Sequence, residues 1–282
     1  MKLSPQLFAI LSALVEERLG LHHGPGEAEL FGDKIATRAA EAGFESLLDY
    51  YYFLRYDASA AGELDALADA LVVGETYFFR ELDALRAGVE QVVVPAVTKR
   101  GKARIWSVAC ATGEEPLSIA MLLAEAGIAR RCEIIATDVS ARALAKAREG
   151  VYGTRSLRAL SPNPPPRGFT EQTAAIASAA IVRDGSKARV VKPLIDTINY
   201  RQLNLLDDAA IAAMGSFDLV LCRNVLIYFD RSLKERTLKL FHDSLSPLGF
   251  MCLGRRESLR FTDVEGEFEE LDAKERVLRR VR

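Results

Sequence analysis

The feature that most constrains this 282-residue chain is a strand–turn–helix grammar that starts near residue 103 and repeats. Ile105-Trp106-Ser107-Val108-Ala109-Cys110 is a short apolar run, followed by a polar turn and a helical stretch over Pro116–Ala126. Glu133-Ile134-Ile135-Ala136-Thr137 repeats the pattern, with a helix over Ala141–Arg148. Phe217-Asp218-Leu219-Val220-Leu221-Cys222 is a third such strand with a helix after it, and Gly249-Phe250-Met251-Cys252-Leu253 is a fourth. Strands that alternate with helices predict an α/β fold, a parallel, doubly wound sheet with helices on its faces.

The first 75 residues follow another rule. Leu7, Ile10, Leu11, Leu14 and Leu19 recur at helical spacing behind Ser4-Pro5, a capping residue followed by a proline in the first turn. Gly24-Pro25-Gly26 stops that helix. Further helices are predicted over about Glu27–Ala42, from about Ser46 through the run Tyr50-Tyr51-Tyr52-Phe53, and over about Ala60–Val72. Strand-like alternation is missing, so 1–75 is expected to be an all-α helical domain and 76–282 the α/β domain. Within the latter, residues 161–168 hold four of the ten prolines, and Arg189–Lys192 and Ile198–Tyr200 read as short irregular strands. The stretch 161–200 is therefore expected to be an inserted subdomain.

Charge divides at the same boundary. Residues 1–75 carry 5 Lys/Arg against 13 Asp/Glu, and residues 76–282 carry 32 against 26, so an overall charge of -2 conceals an acidic front and a mildly basic remainder. That remainder lacks a concentrated basic stripe, and no nucleic-acid partner is expected. No run approaches 18 apolar residues, so no membrane insertion is expected. Glu16, Glu17 and Arg18 interrupt the first helix too early for a signal peptide, which predicts a cytoplasmic protein, expected as a monomer. Cys110, Cys132, Cys222 and Cys252 form no CxxC pair and sit in apolar runs, the pattern of buried reduced thiols; with three scattered histidines no metal site is expected.

In an open parallel sheet, ligands bind beyond the carboxyl ends of the strands. The turn after the first strand, Ala109-Cys110-Ala111-Thr112-Gly113-Glu114-Glu115-Pro116, has one glycine where a dinucleotide fingerprint needs three. Two carboxylates at a helix N-terminus repel a pyrophosphate and suit a cationic ligand; the plainer alternative is that they only cap the helix. Asp138 ends the second strand, where an acidic side chain can accept both hydroxyls of a ribose, with an N-cap role as the alternative. Arg223 and Asn224 directly follow a buried strand and fall at the ligand edge; Tyr228, four residues after Asn224, shares its face if a helical turn follows. At the junction of the two units lies Gly74-Glu75-Thr76-Tyr77-Phe78-Phe79-Arg80-Glu81, where Phe78 and Phe79 read as core anchors and Arg80 as a guanidinium in need of a partner.

These segments resemble the chemotaxis receptor methyltransferases, the CheR family. The resemblance rests on TYFFRE at 76–81, ATGEEP at 111–116, ATD at 136–138, NLL at 204–206 and CRNVLIYFD at 222–230, in family order over most of the chain. It implies a Rossmann-like class I methyltransferase domain with an N-terminal helical domain and a small inserted antiparallel β-subdomain. The cofactor it implies is S-adenosyl-L-methionine, leaving as S-adenosyl-L-homocysteine. The implied activity is methylation of glutamate carboxylates on chemoreceptor cytoplasmic helices, a protein-glutamate O-methyltransferase. Cofactor contacts are implied at Thr76, Arg80, Glu115, Asp138, Asn204, Leu205, Arg223 and Asn224, with Arg80 and Tyr228 arranging the acceptor carboxylate and the methyl group. Gly74 stands where relatives typically carry Asn, and Gly254-Arg255-Arg256-Glu257-Ser258 replaces a Gly-His-Ser-Glu type of segment. The alternatives are a noncatalytic regulator that binds the same cofactor and a methyltransferase with a different substrate.

Overall fold

The computed structural model describes residues 1, 3–160 and 167–281. The chain opens with helices α1 (Pro5–Leu19), α2 (Ala28–Glu41), α3 (Leu47–Tyr56) and α4 (Ala61–Leu71). Ser4 caps α1 by accepting the Leu7 amide at 3.2 Å, and Ser46 caps α3 through the Asp49 amide, as their positions ahead of apolar periodic runs predict. Leu11, Leu14, Phe31, Ile35, Tyr50, Leu54 and Leu67 close the bundle around its own core. Tyr50 donates its hydroxyl to Glu63, which also takes a two-point contact from Arg38 at 2.6 and 3.0 Å.

Two short helices, α5 (Leu82–Ala87) and α6 (Val94–Arg100), lead into the sheet. There follow β1 (Ala103–Val108), α7 (Glu114–Glu125), β2 (Cys132–Asp138), α8 (Ala141–Glu149), β3 (Val151–Gly153), α9 (Glu171–Ala180), β4 (Ile181–Asp184) and β5 (Lys187–Val190). The chain ends with α10 (Lys192–Ile195), β6 (Ile198–Gln202), α11 (Asp208–Ala213), β7 (Phe217–Cys222), α12 (Arg231–Ser244), β8 (Leu245–Leu253), β9 (Phe268–Asp272) and β10 (Val277–Arg280). The main sheet has the order β6-β2-β1-β7-β8-β10-β9, parallel through β8 and antiparallel at its last two strands. Successive side chains alternate faces, so Ile105, Leu219 and Leu221 enter the core under α5–α7 while Trp106, Val108, Val220 and Cys222 enter the core under α12. Trp106 is fully buried there, its indole N–H donated to Thr137 at 2.9 Å.

The second, three-stranded sheet runs β3-β5-β4, antiparallel, and lies between α8 and β6 in the sequence. Two expectations need correction. Ile198–Tyr200 is not part of the insertion: it lies in β6, pairing in parallel with β2 from Ile134↔Ile198 onward. The insertion also begins earlier than residue 161, since Val151–Gly153 already pairs with β5. Both misreadings have one cause, which is that three-to-five-residue strands carry too little alternation to reveal their sheet. The proline-rich segment 161–166 lies outside the described residues.

The bundle meets the sheet along α4 and α8, where Ser140 hydrogen-bonds Asp69, Arg142 donates to the Asp69 carbonyl at 2.7 Å and Gln202 reaches Asp65 at 3.0 Å. No helix among the described residues is long and apolar enough to cross a membrane.

Candidate functional site

β1 departs to one neighbour through α7 and β2, and β7 lies on its other side, so the strand order reverses at β1 and a crevice opens beyond the ends of β1, β2 and β7. The turn that leaves β1 is wound tightly, with Ala109 and Ala111 in the left-handed region at φ 49° and 48°. Gly113 follows at φ 91°, where a Cβ would stand 2.8 Å from Ala147 Cβ and 3.0 Å from the Tyr200 hydroxyl; no other residue fits there. The Ala111 amide donates to Asp138 at 2.8 Å, and the Ser140 amide donates to the other Asp138 oxygen at 2.8 Å. Asp138 thus fastens two loops, while Ser140 itself caps α8. Burial raises the Asp138 carboxyl above its ordinary value, and these two amides pull it back.

The two glutamates at the start of α7 separate. Glu114 is 1% exposed, accepts from Thr112 at 2.7 Å and lines neither cavity of the crevice. Glu115 turns into the crevice, where one oxygen accepts from Ser107 at 2.7 Å and the other from Arg223 at 2.9 Å. Burial pushes its carboxyl up and Arg223 opposes that shift. Arg223 has a side chain 1% exposed and also donates to Glu81 at 3.0 Å and to the Arg80 carbonyl at 2.7 Å. Burial alone would lower its pKa, but the carboxylates of Glu115 and Glu81 outweigh it and hold the guanidinium charged.

After β7, Asn224 takes a left-handed turn at φ 62°. That turn is held by Glu257, a residue that the sequence reading considered only as part of an altered charged segment. Glu257 is 3% exposed and accepts four backbone amides: Asn224 at 2.9 Å, Val225 and Leu226 at 2.8 Å, and Gly254 at 2.7 Å. A Cβ on Gly254 would come within 2.7 Å of that carboxylate and 2.9 Å of the Asn224 amide. Tyr228 closes a 3₁₀ turn over Leu226–Tyr228 instead of continuing a helix from Asn224. It is half-buried, and burial raises its hydroxyl pKa.

The junction segment packs as anticipated at Phe78 and Phe79, both buried. Phe78 meets Tyr152 edge-on at 4.8 Å, and the Phe79 amide donates to Ser118 at 2.9 Å. Phe79 and Glu81 flank Arg80 with φ 58° and 51°. Arg80 is half-buried, donates to the Glu75 carbonyl at 2.7 Å, and has no carboxylate within 4.0 Å among the described residues.

Two adjoining cavities occupy the crevice. The larger, about 1220 Å³ including the open space in front of it, is lined by Asp138, Asn204, Leu205, Asn224 and Tyr228. The smaller, about 480 Å³, is lined by Thr76, Arg80, Glu115, Arg223 and again Asn224. All nine residues singled out in the sequence therefore face one composite cleft, and Val73, Ala109, Ala111 and Asn224 line both of its parts. The amide of Asn204 is partly committed, donating to the Arg18 carbonyl at 2.8 Å and accepting the Leu206 amide at 3.0 Å. From the bundle, His22, His23, Glu27 and Lys34 complete the wall, residues whose sequence context gave no sign of it. Lys34 donates to the Leu71 carbonyl at 3.1 Å and burial lowers its pKa, so with Arg38 held by Glu63 neither offers a free basic face.

The donor set selects a ligand chemistry. Each oxygen of Glu115 accepts one hydrogen bond and retains a second lone pair, suited to an ammonium, and Asp138, held by backbone amides, is suited to sugar hydroxyls. Leu205, Val225 and Phe229 supply an apolar wall for a base. A single glycine with two glutamates behind it offers no phosphate cradle. S-adenosylmethionine fits on each count, and the sheet and site together define a class I methyltransferase dependent on it. The chain matches the family model "CheR methyltransferase, SAM binding domain" over residues 74–277. It is 36% identical to chemotaxis protein methyltransferase 2 of Vibrio cholerae over 81% of this chain and 77% of that one. It is 34% identical to the chemotaxis protein methyltransferase of Klebsiella aerogenes over 94% and 87%. Among solved structures, the rRNA methyltransferase aviRa of Streptomyces viridochromogenes is a distant likeness, with TM-score 0.44 and 16% identity over 75% of this chain and 87% of that one. The protein belongs to the CheR methyltransferase family.

Proposed function

We propose that this protein methylates glutamate side chains of chemoreceptors, using S-adenosylmethionine bound in the composite cleft by Thr76, Arg80, Glu115, Asp138, Asn204, Leu205, Arg223 and Asn224. In this reading 1–75 is a helical domain that walls the cleft and 76–282 is the catalytic domain. The single observation that carries the acceptor is Arg80, a half-buried guanidinium on the cleft without a carboxylate of its own in the described chain, at the center of the junction segment. An incoming glutamate completes it. The names of the relatives, chemotaxis protein methyltransferases, support a chemosensory acceptor.

The cofactor supplies an electrophilic methyl group on a positively charged sulfur. A glutamate carboxylate is already ionised at neutral pH, so the chain needs no general base. Its task is alignment. Glu115 would hold the amino group of the cofactor's methionine part and Asp138 the hydroxyls of its ribose, while Arg80 turns the acceptor carboxylate toward the methyl group and the Tyr228 hydroxyl limits where that carboxylate rests. Arg223 keeps Glu115 and Glu81 in place, since it is anchored between them.

The test is transfer of label from methyl-labelled S-adenosylmethionine to a receptor cytoplasmic fragment, read as base-labile methanol. A charge-assisted hydrogen bond contributes about 1.5–3 kcal/mol, so Arg80→Ala is expected to slow transfer roughly tenfold to a hundredfold while the unfolding midpoint holds. Absence of base-labile label, or an Arg80→Ala variant with full turnover, overturns the reading.

A further inference from the structure

β3 and the turn after it, residues 154–160, together touch both loops that build the cleft. The Tyr152 hydroxyl donates to the Thr112 carbonyl at 2.8 Å, and the Phe78 amide donates to the Ser156 carbonyl at 3.0 Å. From this turn Arg158 reaches over the junction segment, its guanidinium carbon 3.7 Å from the center of the Tyr77 ring. On the same ring stands Arg80, more loosely, at 6.0 Å. Both arginines also hold one residue: Arg80 donates to the carbonyl of Glu75 at 2.7 Å, and Arg158 pairs with its carboxylate at 3.0 Å. The Glu75 carboxylate, five residues away on the same loop, is thus a rival for the Arg80 guanidinium, and Arg158 is what occupies it.

We propose that Arg158 is a positioning residue for methyl transfer: by engaging the Glu75 carboxylate and stacking on Tyr77, it keeps the Arg80 guanidinium available to the acceptor carboxylate. The inference rests on the reading of Arg80 given above. Its physical basis is competition between two carboxylates for one cation. An intramolecular carboxylate on a short loop has a high effective concentration, and it collapses onto Arg80 once its own partner is gone. Aromatic stacking adds to the hold, because a guanidinium at van der Waals distance from a ring face is attracted by the ring quadrupole.

The experiment compares the wild-type chain with Arg158→Ala, Arg158→Gln and the double variant Arg158→Ala/Glu75→Gln in the labelled-methyl assay, with S-adenosylhomocysteine affinity measured by calorimetry. Removal of Arg158 is expected to lower kcat/KM for the receptor fragment about tenfold, the weight of one charge-assisted contact. The unfolding midpoint stays in place, while cofactor-product affinity, to which Arg80 also contributes, falls together with the transfer rate and recovers with it in the double variant. Neutralising Glu75 as well is expected to restore most of the loss, a rescue that a merely structural arginine does not give. A crystal structure of Arg158→Ala should show Arg80 paired with the Glu75 carboxylate. Full activity in both Arg158 variants, or a double variant no better than the single one, overturns the proposal. A wild-type chain that yields no methyl ester at all overturns the acceptor reading and this inference with it, whereas equal labelling by wild type and variants removes only the inference.

Discussion

Single residues in this protein divide by how much of their role the sequence exposes. Arg80, Asp138, Arg223 and Asn224 are legible because a charged or amide side chain directly after a buried apolar run is an anomaly that asks for a partner, and each does line the cleft. Glu257 is not legible, because three of its four partners are backbone amides more than thirty residues upstream and backbone amides leave no trace in a sequence. The fate of Glu114 is equally hidden: two adjacent glutamates look equivalent, and only the contacts with Thr112 and Arg223 decide which one turns into the cleft. Glu257 carries the clearest prediction at this scale. Glu257→Ala strands buried amides at Asn224, Val225 and Leu226, each such loss costing about 1–3 kcal/mol, so a drop on the order of 3–5 kcal/mol is expected in urea denaturation. Glu257→Gln, which keeps one acceptor oxygen, should lose distinctly less. Equal midpoints for the wild type and the alanine variant would show that the turn at Asn224 holds itself.

Among the elements, those with long periodic signals were readable and the short ones were not. The four bundle helices and strands β1, β2 and β7 fall within a few residues of their expected positions, since each buries a regular face. β3, β4, β9 and β10 went unread, and β6 was assigned to the wrong sheet, because pairing partners rather than their own residues define them. The inserted sheet is fastened by helix α9. Arg86, on α5, donates to Thr173 at 2.8 Å and to the Gly168 carbonyl at 3.1 Å and pairs with Glu125 on α7 at 3.3 Å. These side chains are largely buried, so loss of the guanidinium leaves Glu125 without its cation. Arg86→Ala is therefore expected to loosen the insertion as a unit. By hydrogen exchange, amides of α9, β4 and β5 should lose protection at least about tenfold while β1, β2 and β7 keep theirs. Uniform loss across both sheets would mean that the insertion and the main sheet unfold together.

Taken whole, the molecule joins an acidic bundle to a mildly basic sheet, and the charge asymmetry of the sequence gives no sign that the bundle contributes a cleft wall. Two backbone acceptors bind the halves at the cleft itself: the Arg18 carbonyl takes Asn204, and the Tyr228 carbonyl takes the His22 amide at 3.0 Å. The buried thiols make the alkaline limit a property of the entire fold. Burial lifts Cys132 to about 11 and Cys252 to about 12 from an ordinary value of 9.0, and it lifts Cys110 and Cys222 well above that value. Folded-state values above the unfolded ones mean that this stability is complete below the unfolded pKa. As pH rises past it, the unfolded chain sheds protons first, and each thiol withdraws about 1.4 kcal/mol per pH unit until its folded value is reached. The urea midpoint should thus fall steadily between about pH 9 and pH 11, and a flat profile would contradict the burial of these groups. One last consequence follows from the left-handed backbone at Phe79, Glu81, Ala109, Ala111 and Asn224, which gathers around the cleft five of the eight such non-glycine residues in the described chain. Glycine at those positions would ease each by about 1 kcal/mol. An engineer who hardened this enzyme against heat by that route would be trading catalytic preorganisation for thermal endurance, because the least comfortable peptide units are the ones that shape the chemistry.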